Sequence, residues 1–185
     1  MKLLDPRGFG LMCATVAVGT GLVVAGCSSS IHGTATANEV EASAYRTEMA
    51  SSSAAATSSQ KAAAQAKAIS DNCTPFRGTT SVAVTKYNEF VDAHDANAPD
   101  QDAKRDTAAQ TLEDAAKTVE GRVNTSGDAL PTDLAQKFTA YVTAARGLAA
   151  ESRKMTYTAP VGALNDASKR VNDALNVARD ACSAR

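Results

Sequence analysis

Residues 132–155, TDLAQKFTAYVTAARGLAAESRKM, contain the longest helical repeat of apolar side chains in this sequence. Its members recur every three or four positions: Leu134, Phe138, Tyr141, Ala145, Leu148, Ser152 and Met155. This spacing places them on one face of an α-helix, and such a face is stable only when other elements cover it. The preceding Leu130-Pro131 favours a helix that starts at about residue 132.

Three further segments repeat the pattern. Residues 79–96 end before Pro99, residues 101–124 stop at the run NTSG (124–127), and residues 160–182 begin with Pro160, which suits a first helical turn. The apolar stripe of residues 79–96 consists of Val84, Tyr87, Val91 and His94, with Phe90 beside them. That of residues 101–124 consists of Leu112, Ala116, Val119 and Val123. That of residues 160–182 consists of Leu164, Ser168, Val171, Leu175, Ala178 and Cys182. No strand pattern of comparable quality occurs. The sequence therefore predicts an all-α fold, a small up-and-down four-helix bundle over residues 71–185.

The N-terminus has the three parts of a secretory signal. Lys2 and Arg7 precede an apolar or small run over residues 9–24, which leads into Val24-Ala25-Gly26-Cys27. This tetrapeptide resembles the lipobox of bacterial lipoproteins, and Ile31-His32-Gly33-Thr34-Ala35 after it is similar to the start of many mycobacterial ones. The resemblance implies that residues 1–26 are a signal peptide. It also implies that Cys27 carries lipid, with acyl chains such as palmitate, and holds the protein on the outer face of the cell membrane.

Two alternatives exist for this N-terminal segment. A transmembrane helix requires about 20 apolar residues, and the run here is shorter and interrupted by Gly10, Gly19 and Gly21. Ordinary cleavage that leaves Cys27 unmodified is the second alternative, because small residues before the cut suit either peptidase.

The four cysteines fit an oxidising compartment. Cys13 would be removed with the signal peptide and Cys27 would be lipidated, which leaves Cys73 and Cys182 near the two ends of the helical part. We predict one disulfide between them, in preference to a metal site or a catalytic cysteine. It encloses about 110 residues and would stabilise a core that is poor in large side chains.

Residues 27–70 form the predicted tether, or stalk, between lipid and bundle. Residues 28–37 are small and polar, as in a flexible spacer. Asn38 followed by Glu41 resembles a capping box and predicts a helix start. From Ala50 to Ser70 the chain is rich in Ala, Ser, Gln and Lys, which allows a helix or a flexible coil and gives no basis for burial.

The sequence contains few residue patterns that are typical of catalytic, metal-binding or nucleic-acid-binding sites. With 19 basic and 20 acidic residues there is no basic patch for nucleic acid. The loop Asp92, His94, Asp95, Asn97, Asp100 and Asp102 is the densest set of oxygen and nitrogen ligands, but it lacks the glycine turn and terminal glutamate of a calcium loop. We interpret it as a solvated interhelical loop. No catalytic residue, metal site or cofactor is predicted.

Three hypotheses of function follow. The first is a non-catalytic cell-envelope lipoprotein whose bundle contacts another envelope protein or a cell-wall component. The second is a carrier or sensor that holds a lipid or small apolar ligand between its helices, which would need Phe90, Phe138 and Tyr141 to line an open groove. The third is an enzyme that uses the acidic loop and His94.

Overall fold

The computed structural model describes residues 38–185. The chain divides into two compact units, Met1–Ala42 and Ser43–Arg185, and only residues 38–42 of the first are described. Four α-helices follow one another: α1 (Glu39–Asp95), α2 (Gln101–Ser126), α3 (Thr132–Lys154) and α4 (Gly162–Ser183). A short 3-10 helix, Gly127–Ala129, lies between α2 and α3. The predicted all-α four-helix bundle is confirmed.

Local signals explain most of the helix ends. The side chain of Asn38 accepts a hydrogen bond from the backbone N–H of Val40, 3.2 Å away, as an N-cap does. Helix α2 ends before Gly127, whose φ of 48° is a conformation that suits glycine, and whose N–H donates to the carbonyl of Val123. Asn97, with a φ of 51°, makes the turn between α1 and α2. Pro160 was predicted to lie in the first turn of the fourth helix, but α4 begins two residues later, at Gly162.

The start of the first bundle helix was predicted wrongly. Instead of beginning near residue 79, with Cys73 ahead of it, α1 runs without interruption from Glu39 and includes both Cys73 and Pro75. The high helix propensity of Ala, Gln and Lys carries the helix through the stalk. Pro75 removes one hydrogen bond of the helix and its ring crowds the carbonyl of Asp71, and the packing of Ala68 and Phe76 in the core offsets that cost.

The exposed half of α1 and its packed half differ sharply. Every side chain from Ser43 to Lys67 is exposed, and burial begins at Ala68. Five hydroxyls of this exposed half donate hydrogen bonds to carbonyls of their own helix, those of Thr47, Ser51, Ser52, Ser53 and Thr57. At 1.5 Å per residue this stretch is about 37 Å long. From Ser43 to Lys67 the predicted stalk is thus an exposed helix, and its Lys61, Ala64 and Gln65 line a pocket together with residues 128–132 at the start of α3.

The core lies between the four packed helices and is built around aromatic rings. Phe76 of α1 packs on Phe138 and Tyr141 of α3, with ring centroids 5.0 and 5.2 Å apart. All seven predicted stripe residues of α3 are buried. On α1 the buried stripe is rotated from the predicted one: Phe90 and Ala93 occupy its centre, while Val91 and His94 lie at its edge. The large Phe90 ring gains most from full burial, which accounts for the rotation.

Candidate functional site

The predicted disulfide is present in the structure. Cys73 of α1 and Cys182 of α4 are bonded, with their Cα atoms 5.5 Å apart and 109 positions between them in sequence. Both are partly buried against the core. The bond joins the first and last helices of the bundle at the end where the stalk enters.

The aromatic residues that would have lined a ligand groove fill the core instead. Phe90 and Phe138 have no exposed surface and Tyr141 is 1% exposed. Burial raises the pKa of the Tyr141 phenol to about 12, although the positive charge of Arg179 acts against this rise. These side chains are packing partners, so the neighbourhood that the carrier hypothesis required is closed.

The acidic loop does not gather its side chains into a ligand set. Within residues 38–185 no three His, Cys, Asp or Glu side chains could hold a metal ion together. Asp100 pairs with Lys104 at 3.1 Å and Asp102 with Arg105 at 2.8 Å. These pairs along the first turns of α2 fit the interpretation of a solvated loop.

His94 lies at the edge of the core beside this loop. Its ring packs edge-on against Phe90 at 6.2 Å, and its Nδ1 is 3.6 Å from a carboxylate oxygen of Asp95. The buried Nε2 makes no hydrogen bond with any described residue. Because that nitrogen is buried, it offers no open face to a substrate.

An open groove with a volume of about 980 Å³ lies between α3 and α4. We call it the α3–α4 groove. Its floor is made mainly of small residues: Ala140, Thr143, Ala144 and Gly147 from α3, and Ala174 from α4. Exposed Val177 stands at its side. Small side chains on the outer flanks of two packed helices leave a trough that is mostly apolar.

Charges of both signs border this groove. Near one end Asp133 accepts hydrogen bonds from Arg185 and, at 3.3 Å, from Lys137. The bond with Arg185, and then that with Lys137, lowers the pKa of the Asp133 carboxyl. Arg170 and Asp173 lie further along the groove on α4. The groove was not predicted, although a second stripe of small residues, Ala140, Ala144 and Gly147, is visible at helical spacing in the sequence.

Cys27 and residues 1–26, the predicted signal peptide, lie outside the described residues. Within residues 38–185, no helix combines the length and the apolar character that crossing a membrane requires.

Comparison with known proteins identifies the fold family. A model of the Rv2240c four-helix bundle domain matches residues 55–183, which is more than half of the chain. The match includes the exposed part of α1 from Ala55 onward as well as all of the packed part. No curated protein and no solved structure matches the chain significantly. The chain belongs to the family of the Rv2240c four-helix bundle domain.

Proposed function

We propose that this protein is a membrane-anchored cell-envelope lipoprotein whose bundle binds another envelope protein and catalyses no reaction. The α3–α4 groove is the observation that carries the binding part of the proposal. It is an open surface groove of about 980 Å³, with an apolar floor and charges at its rim. The lipid at Cys27 is supported by the lipobox resemblance, and the outer face of the membrane by the disulfide, which needs an oxidising compartment.

The exposed helix of the stalk is long enough to act as a spacer between a lipid anchor and the bundle. The exposed helix from Ser43 to Lys67 is about 37 Å long and comes, in chain order, between the proposed anchor and the bundle. A helix of that length holds a domain farther from a lipid surface than a coil of equal residue number, which has a root-mean-square span of about 25–30 Å. The bundle can then contact a partner that lies above the headgroups.

The occupant of the groove is a segment of a partner protein, with apolar side chains flanked by charges of both signs. An anionic lipid would favour a rim of positive charge alone, whereas this rim has Asp133 and Asp173 beside Lys137 and Arg170. The floor of alanine and glycine allows a helix or an extended chain to approach closely. Burial of apolar surface would supply the affinity, and the rim charges would set the orientation of the segment.

The test is a photo-crosslinking experiment in cells with the full-length protein. A photoreactive amino acid replaces Val177 in the groove or, as the control, Val82, which is equally exposed on α1. Adducts are identified by mass spectrometry with and without Thr143→Arg, which fills the groove, and with Ser81→Arg as the matched surface substitution.

We expect position 177 to yield a defined envelope protein, position 82 to yield none, and Thr143→Arg alone to abolish the adduct. Cys27→Ala should also reduce it, because the protein would leave the membrane. An adduct that persists with Thr143→Arg, or that contains only a second copy of this chain, would overturn the proposal.

A further inference from the structure

A second, smaller pocket lies on the opposite side of α4, beside the disulfide. It has a volume of about 210 Å³ and is formed by α1 and α4 only. Its lining consists of Cys73, Thr74, Phe76, Arg77, Arg179, Cys182 and Ser183. The disulfide and the edge of Phe76 make an apolar wall, and the two arginines bring positive charge to it.

Both arginines lack a partner of opposite charge. Among residues 38–185 neither Arg77 nor Arg179 lies within 4.0 Å of a carboxylate, whereas most other arginines of the bundle are paired, as Arg146 is with Glu120. Two guanidinium groups on one small pocket repel each other, and this arrangement costs free energy unless an anion lies between them.

An unpaired charge is more unfavourable on Arg179 than on the exposed Arg77. Arg179 is half-buried, and its guanidinium group makes no ion pair or hydrogen bond among residues 38–185. Its Nε is buried, so a ligand would meet the terminal nitrogens of the guanidinium group. Its positive charge acts on the buried Tyr141 phenol, whose pKa burial raises to about 12, so the phenol stays neutral and supplies no negative charge to pair with it. A partly desolvated and unpaired cation is unfavourable, so its persistence here points to a ligand.

We infer that the pocket of Arg77 and Arg179 binds a phosphate group. Two guanidinium groups match the charge of a phosphate and donate to its oxygens in a fixed planar geometry. The pocket, of about 210 Å³ and open to solvent, accommodates a phosphate group that is either free or part of a headgroup. Hydroxyl groups of Thr74 and Ser183 lie on the lining and add two further possible donors, although the Ser183 hydroxyl also bonds to the carbonyl of Arg179 at 3.0 Å. The phosphate can belong to a lipid headgroup or be free in solution.

This inference is independent of the lipid at Cys27 and of the α3–α4 groove. It is tested by titrating the ¹⁵N-labelled full-length protein, in a non-ionic detergent, with inorganic phosphate and separately with glycerophosphoglycerol. The readout is the arginine Nε–H region of the proton–nitrogen correlation spectrum. Arg77→Gln and Arg179→Gln assign the two signals, and Arg170→Gln, an arginine that lines the other groove, is the control.

We expect the Arg179 Nε–H signal to shift saturably with at least one of the two probes. Arg77→Gln and Arg179→Gln should each weaken binding by about tenfold or more, and Arg170→Gln should leave it unchanged. Tighter binding of glycerophosphoglycerol would identify a lipid headgroup as the source, and tighter binding of inorganic phosphate would identify a free phosphate.

Arg77 is exposed, so Arg77→Gln leaves the fold intact even if Arg179→Gln does not. Absence of a saturable shift with both probes, or binding that Arg77→Gln leaves unaffected, would overturn the inference.

Discussion

Loss of the Cys73–Cys182 disulfide is expected to remove a large share of the stability of the bundle. The bond joins residues 109 positions apart, and in the chain-entropy model a loop of about that size stabilises the folded state by about 4.7 kcal/mol. Small domains have a free energy of unfolding of about 5–15 kcal/mol. The variant Cys73→Ala/Cys182→Ala should therefore lose up to about 4.7 kcal/mol of its free energy of unfolding. This loss corresponds to a thermal midpoint about 15–20 °C lower than that of the oxidised protein.

The assay is urea unfolding followed by near-ultraviolet circular dichroism. This signal reports mainly the buried tyrosines Tyr87 and Tyr141, because the one tyrosine of the stalk helix, Tyr45, is exposed. The oxidised protein, the reduced protein and the double variant are compared. Reduction keeps both sulfur atoms, so agreement of the reduced protein with the variant within about 1 kcal/mol would assign the loss to the cross-link and not to packing. Ser183→Ala, beside Cys182, is the control that keeps the disulfide. A loss below about 1 kcal/mol in both comparisons would refute the reasoning.

Three further predictions concern the core, an ion pair and the stalk. Phe138→Ala should lower the free energy of unfolding by about 3–5 kcal/mol, because it opens a cavity against Phe76, and urea titration at neutral pH measures the loss. The hydrogen bond from Arg146 lowers the pKa of Glu120 below its ordinary value of 4.5. The ion pair therefore stabilises the fold above about that pH, and its contribution is lost as the pH falls through the lowered pKa. The thermal midpoints of the wild type and Glu120→Gln should differ at pH 7 and converge at low pH, and a difference that stays constant with pH would contradict the assignment. Deleting residues 1–54 should leave the thermal midpoint of the bundle within about 2 °C, measured by calorimetry, because no side chain from Ser43 to Ala54 is buried.

The helices could be predicted from the sequence where large apolar side chains recur at helical spacing and so show which face of the helix is buried. Helix α3 has Leu134, Phe138 and Tyr141 at regular intervals, and both its limits and its buried face were predicted correctly. The start of α1 could not be found in this way, because a stretch of alanine and serine has no apolar periodicity to mark a boundary. This stretch is helical because of the intrinsic helix propensity of its residues, and that propensity alone does not exclude a coil.

The candidate sites were harder to predict because they depend on which helices become neighbours. The floor of the α3–α4 groove consists of small residues that look like ordinary helix surface until α4 lies beside α3. Arg77 and Arg179 are separated by 102 positions, and neither belongs to a motif. Only the antiparallel contact of α1 with α4, fixed by Cys73 and Cys182, brings them to one pocket.

The most direct test of the account is mass spectrometry of the protein purified from its native membrane without reductant. We expect an N-terminal peptide that begins at Cys27 and carries the mass of attached acyl chains, together with a disulfide-linked peptide pair containing Cys73 and Cys182. An N-terminal peptide without acyl mass would contradict the anchored-lipoprotein proposal. Free thiols at Cys73 and Cys182 would contradict the covalently closed bundle.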